Sequence, residues 1–169
     1  RRLFIALGYK VTYVSNYTDV DDKIIARAKK LNITEQELTS EVIKAFRKDV
    51  DEVNSLQPDI TPTPTGYMDK IISYVDDLVK SNHAYLADGD VYFRVSSISN
   101  YGDLSGNTVE SLISGARIEV NSKKESSLDF ALWKKTDEGI KWNSPFGEGR
   151  PGWHTECCVM INSIFSNQD

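Results

Sequence analysis

Cysteine and histidine are scarce in this chain, with two of each among 169 residues. The two cysteines, Cys157 and Cys158, are adjacent, so a bridge between them is strained and no framework of spaced pairs exists. That excludes a disulfide-stapled secreted domain and fits a reducing compartment. No apolar run approaches the roughly 18 residues needed to cross a bilayer, and the opening Arg1-Arg2-Leu3-Phe4-Ile5-Ala6-Leu7 is too short for a secretory signal. The expectation is a cytoplasmic globular protein with no membrane partner. Positive charge is also in deficit: 20 Lys and Arg face 25 Asp and Glu, a formal net charge of -5. Broad nonspecific attachment to nucleic acid needs clustered bases, so any RNA contact must be local or come from residues outside this chain. An initiator methionine is lacking too, and the opening reads as the last turns of a helix closed by Gly8. The chain is therefore expected to be an internal piece of something longer.

What is present can build a core. With 40% hydrophobic and 10% aromatic residues, the length fits one domain, or one domain carrying an insertion. After Gly8, Lys10-Val11-Thr12-Tyr13-Val14-Ser15 is rich in β-branched and aromatic residues and bounded by Asn16, which predicts a buried parallel strand. Helix, glycine and strand in that order point to a nucleotide-type α/β sheet. Asp19 to Ala28 places acids at a helix start and bases further along, as the helix macrodipole favours. A second helix follows, because Thr34-Glu35-Gln36-Glu37 is a capping box and Leu38, Val42, Ala45, Phe46, Val50 and Val53 continue an apolar stripe. Pro58, Pro62 and Pro64 end that pattern in a stiff connector.

Beyond the connector, Met68, Ile71, Ile72, Val75, Leu78 and Val79 predict a helix ending near Asn82. The period then shortens to two: Ala84 to Ala87, the turn Asp88-Gly89, and Asp90 to Val95 read as a β-hairpin. Ser96 to Ser127 is polar, with a short helix expected around Val109 to Ile113. Phe130 to Lys134 reads as a strand, Ile140-Lys141-Trp142 as its edge partner, and His83 as a surface residue.

Two constellations could carry chemistry. Asn16-Tyr17-Thr18-Asp19-Val20-Asp21-Asp22-Lys23 sits at the carboxyl end of the expected strand, where open α/β sheets place their ligand crevices. The plain alternative is helix capping, since Asp and Thr are common N-caps. A magnesium site on Asp19, Asp21 and Asp22 is disfavoured, because carboxylates at i and i+2 on a helix point apart. The second is Gly149-Arg150-Pro151-Gly152-Trp153-His154-Thr155-Glu156-Cys157. Pro151 suits the first position of a helix, and from there Trp153, Glu156 and Cys157 fall at i, i+3 and i+4 on one face. The plain alternative is a core helix with a free cysteine acting as a small hydrophobe. One cysteine cannot make a zinc site, which needs about four ligands, and His154 is poorly placed to join Cys157.

The nine residues Gly149 to Cys157 resemble the signature of the cysteine-tRNA ligases, the cysteinyl members of the class I aminoacyl-tRNA synthetases. Tyr13 to Ile24 is similar to a second family segment, with Tyr17 where members often carry a smaller aliphatic residue. Asp88-Gly89-Asp90-Val91-Tyr92-Phe93, Tyr101 to Gly106, Gly115-Ala116-Arg117 and Asp129-Phe130-Ala131-Leu132-Trp133-Lys134 resemble the family's connective peptide. The resemblance implies a class I synthetase α/β fold: part of a Rossmann-like parallel sheet over 1–57, a mixed α+β insertion over 58–148, and a return to the catalytic domain over 149–169. It implies ATP-dependent joining of cysteine to its tRNA through a cysteinyl-adenylate, with no covalent nucleophile and no catalytic residue assigned in this chain. Thr18 and Trp153 would bind the substrate side chain. Cys157 would be a zinc ligand, the remaining ligands lying outside this chain, and magnesium would accompany ATP. The implied partners are cysteine, ATP and tRNA, and the protein is expected to be a monomer. The family's two ATP-holding motifs are missing, so this chain alone is expected to be inactive. Two rivals stay open: the related ligase that attaches cysteine to a glucosamine-inositol acceptor in mycothiol synthesis, and a non-catalytic α/β binding module.

Overall fold

A computed structural model describes residues 1–106, 123–152 and 155–166. The helix expected around Val109 to Ile113 and the segment Gly115-Ala116-Arg117 lie outside the described residues. The chain divides into two compact units, Arg1–Met68 with Met160–Asp169 and Asp69–Val159.

The first unit is helical. Helix α1 spans Arg2–Ala6, and the chain turns out of it through Gly8 at φ 87°. Helix α2 spans Asp22–Leu31, with the Asp21 side chain accepting from the N–H of Lys23 and Asn32 closing the far end in the left-handed conformation. Helix α3 spans Glu35–Glu52 and carries the complete capping box: Glu37 N–H donates to Thr34 Oγ1 at 3.2 Å, and Thr34 N–H donates to Glu37 Oε2 at 2.8 Å. The two backbone donations satisfy N–H groups that a helix start otherwise leaves without partners. Of the predicted stripe on α3, Leu38 is buried while Val42 and Phe46 remain 56% and 53% exposed.

The strand expected over Lys10–Ser15 forms a single bridge rather than a regular ladder, and none of its six residues is buried, contrary to the expectation of a buried strand. Its pairing is parallel, through the bridge Val14 to Ile60, with Asp59 N–H donating to Tyr13 O at 2.8 Å and Ser15 N–H to Ile60 O at 3.1 Å. Pro62 follows and accepts from Tyr17 N–H but has no N–H to return, so a longer ladder cannot form there. Asp59 fastens this pairing. Its carboxylate accepts from Tyr13 N–H at 2.7 Å and pairs with Arg1 at 2.6 Å, and these partners hold it below the usual carboxylate range.

The second unit holds the described sheet, which is antiparallel. It begins with helix α4, Met68–Lys80, closed by Asn82 at φ 63° as the periodicity predicts. Strands β1 (Ala84–Ala87) and β2 (Asp90–Phe93) form the predicted hairpin, with Ala87 opposite Asp90. The turn residues Asp88 and Gly89 both have positive φ, at 53° and 88°, as a tight hairpin turn demands. Strand β3 (Phe130–Lys135) pairs with β2 across an irregularity between Val91 and Tyr92, and β4 (Gly149–Pro151) pairs with β3, for the order β1-β2-β3-β4. Trp142 forms a single bridge to Gly149, so the edge partner expected at Ile140–Trp142 is reduced to one residue pair. Ile71, Val75, Val91 and Trp133 are 0% exposed and make the core of this unit. His83, read from sequence as a surface residue, is half-buried, with Nδ1 2.9 Å from Ser97 Oγ.

A buried carboxylate ties the loops to the sheet. Asp129, 2% exposed, accepts from Val95 N–H at 2.9 Å, Tyr85 O–H at 2.8 Å and Ser126 N–H at 3.0 Å. Full satisfaction of this kind turns an otherwise costly buried charge into a rigid anchor. Burial, aided by the bond to Asp129 and opposed by the N–H of Glu125, pushes the Tyr85 phenol up to about 12.

Candidate functional site

The segment Asn16–Lys23 is organised by its carboxylates. Asp19 Oδ1 accepts from Thr65 N–H at 3.2 Å and Oδ2 from the Thr65 hydroxyl, and Asp21 caps α2. Asp21 thus fills the capping role that the plain alternative gives such residues, while Asp19 ties the loop to Thr65, and among the described residues no three His, Cys, Asp or Glu side chains gather as a metal site. These anchors leave Thr18 exposed between Tyr17 and Asp19. Tyr17 itself is half-buried, edge-on to Phe46 at 6.0 Å, with the Arg47 guanidinium 5.4 Å above its ring. An aromatic at this position thus docks the loop onto α3.

Thr18 opens onto a crevice of about 290 Å³ between α2 and α3, lined also by Lys23, Ile24, Arg27, Leu38, Thr39, Val42 and Ile43. The floor is aliphatic and two cations stand among the lining residues. Sequence reading marked Thr18 but gave Lys23 and Arg27 no role. Their spacing at i and i+4 was the available signal.

The Gly149–Cys157 motif is built differently from the expectation. Pro151 is not the first residue of a helix: it lies in β4 opposite Trp133, and helix α5 begins at Thr155 and runs to Phe165. The reason is close packing of backbone on backbone. A Cβ on Gly149 would stand 2.3 Å from Lys134 O and 2.5 Å from Trp133 Nε1, and one on Gly152 would stand 1.8 Å from Ala131 O. Only glycine admits that approach, and Gly152 N–H donates to Leu132 O at 2.7 Å, extending the β3–β4 ladder by one bond. Pro151 is tolerated because β4 is the edge of the sheet, where a missing N–H leaves no ladder partner stranded.

Trp153 and His154 lie outside the described residues, so the shared face expected for Trp153, Glu156 and Cys157 cannot be assembled around them. Within α5, Thr155 and Glu156 are buried and Cys157 and Cys158 are exposed. Partial desolvation, then the neighbouring Glu156 and Cys158, raises the Cys157 thiol above its ordinary value. Its exposed sulfur can accept a metal, but one thiol is one ligand of about four. The described residues do not make a zinc site by themselves. Thr18 belongs to the first unit and Cys157 to the second.

The family model described as tRNA synthetases class I (C) catalytic domain matches residues 1–168. A protein of Acholeplasma laidlawii named cysteine–tRNA ligase is 46% identical over 168 residues, 99% of this chain and 39% of that protein. Proteins of the same name from Staphylococcus haemolyticus and Staphylococcus aureus (strain Mu50) are each 50% identical over 161 residues, 95% of this chain and 34% of theirs. The chain thus spans a little over a third of the length of these curated relatives. No described helix is long and apolar enough to cross a membrane.

Proposed function

The chain belongs to the family of class I (C) tRNA synthetase catalytic domains, and we propose on that basis that a full-length protein carrying it joins cysteine to its tRNA. The carboxylate of cysteine attacks the α-phosphorus of ATP, pyrophosphate leaves, and the cysteinyl group passes from the adenylate to a terminal ribose hydroxyl of the tRNA. Both steps run by positioning and electrostatic stabilisation rather than by a covalent nucleophile. The observation that carries the reading is identity of 46–50% with proteins of that name across 95–99% of this chain, a span that takes in Thr18 and Cys157.

In this reading Thr18 presents its hydroxyl to the substrate side chain from a loop anchored by Asp19 and Asp21, and Trp153 is a further substrate-binding residue. Cys157 supplies one thiolate to a zinc ion whose other ligands come from outside this chain. Such an ion, when bound, adds affinity for a thiol that a hydroxyl or methyl does not match, and a site built on one polar bond rejects its lacking analogue by roughly 10⁴-fold or more. Magnesium enters with ATP. The parallel pairing of Val14 with Ile60 supports the Rossmann-like sheet that this chemistry uses.

The test is made on the full-length protein: cysteine-dependent exchange of pyrophosphate into ATP, followed by charging of a cysteine-accepting tRNA. Absence of both overturns the proposal. Cys157→Ser is expected to abolish stoichiometric zinc and to weaken cysteine activation far more than ATP binding. Undiminished zinc in that variant removes Cys157 from the ligand set.

A further inference from the structure

The side of α2 away from Ile25 and Ala28 carries a line of bases in a chain whose net charge is -5. Lys23, Arg27 and Lys30 fall at i, i+4 and i+7, within about 60° of one another around the helix axis. All three are exposed, on the side away from the buried Ile25 and Ala28. None of the three has an ion-pair partner among the described residues. The only acid of α2, Asp22, projects about 100° from Lys23, and Glu37 of the neighbouring helix is committed to its capping box.

Helix stability does not explain the set. Lys30 and Lys29 fall in the last turn, where the macrodipole favours cations, but Lys23 is the second residue of the helix, where the same dipole disfavours one. Lys23 and Arg27 also line the crevice onto which Thr18 opens. An ordinary solvated face has no reason to place an unpaired lysine against the dipole beside such a crevice.

We propose that Lys23, Arg27 and Lys30 form a phosphate track on which the RNA substrate lays its backbone as it approaches the Thr18 crevice. The proposal rests on the RNA-charging reading above. Seven residues of helix advance about 10 Å, and a nucleic-acid strand carries one charge per about 3.4 Å of axis. Three cations along that line therefore span about three phosphate-to-phosphate steps of a strand. A compact anion such as a nucleotide triphosphate needs cations that converge on one point, and these are strung out instead. Local contact of this kind is the mode left to an acidic chain that touches RNA through its own residues.

The experiment titrates the full-length protein with an unmodified transcript of a cysteine-accepting tRNA at several salt concentrations. Combined Lys23→Gln, Arg27→Gln and Lys30→Gln substitution is expected to reduce the slope of log affinity against log salt by about 2 to 3 and to weaken binding at low salt about tenfold or more. A Lys23→Arg, Arg27→Lys and Lys30→Arg variant, which keeps the charge, retains the unsubstituted slope. An unchanged slope in the glutamine variant, checked as folded by circular dichroism, overturns the proposal. So does weakened ATP binding with RNA binding intact, which assigns the bases to the nucleotide. Failure of the charging reading is seen separately, as no pyrophosphate exchange by the unsubstituted protein.

Discussion

The two units of this chain handle their apolar side chains in opposite ways. In Asp69–Val159, Ile71 and Val75 of α4 and Val91 and Trp133 of the antiparallel sheet are wholly buried. In Arg1–Met68, the described residues leave Leu3, Phe4, Ile5, Leu7, Val42, Phe46 and Val53 open to solvent. A four-stranded sheet and a helix with wholly buried residues supply more than one layer, whereas the α2–α3 hairpin is a single layer with one buried seam. The first unit consequently relies on local devices such as helix caps and the carboxylates of Asp19 and Asp59. The second relies on packing. The cations beside the Thr18 crevice are found on the former, and the close-packed glycine motif on the latter.

Substitutions can break or sharpen that contrast, and the chain offers two probes. All three tryptophans, Trp133, Trp142 and Trp153, fall in the second unit, so their fluorescence reports it, while far-ultraviolet circular dichroism weighs α2 and α3. Trp133→Ala is expected to cost about 3–5 kcal/mol in urea unfolding followed by fluorescence. Gly152→Ala comes next at about 3 kcal/mol, because its Cβ collides with backbone that no side-chain rotation can clear. Thr34→Ala removes the α3 cap and is expected to cost about 1 kcal/mol, read in the dichroism transition and not in the fluorescence. Phe46→Ala, at a half-exposed position, is expected to change stability by no more than about 0.5 kcal/mol. If Phe46→Ala matched Trp133→Ala, the contrast between the units would fail.

Much of this architecture was legible locally. The Asp88-Gly89 turn, the Thr34/Glu37 capping box and the helix over 68–80 follow from short-range rules, since turn dihedrals, cap geometry and helical period are set by neighbours in sequence. The Gly149–Cys157 motif was legible as a site but not as a shape. Pro-Gly is a sound helix-start signal, yet Pro151 joins a strand because β3, more than a dozen residues earlier, lies close enough to demand glycine at 149 and 152. Strand Lys10–Ser15 was recognised as extended and parallel, but regular strand needs a donor that Pro62 lacks. The anchoring role of Asp129 was invisible, because a carboxylate beside a predicted strand looks like any loop acid until Tyr85, Val95 and Ser126 converge on it.

The sequence by itself determined the family, the candidate residues Thr18, Trp153 and Cys157, and features such as the α3 capping box and the Asp88-Gly89 hairpin, whose hydrogen bonds close within a few residues. Tertiary structure alone decided which faces are buried, where Pro151 sits, and that Thr18 shares a crevice with Lys23 and Arg27. The division has one physical cause: a cap or a hairpin turn is satisfied by atoms within the same short segment, whereas an edge strand, a buried carboxylate or a crevice exists only when distant segments meet.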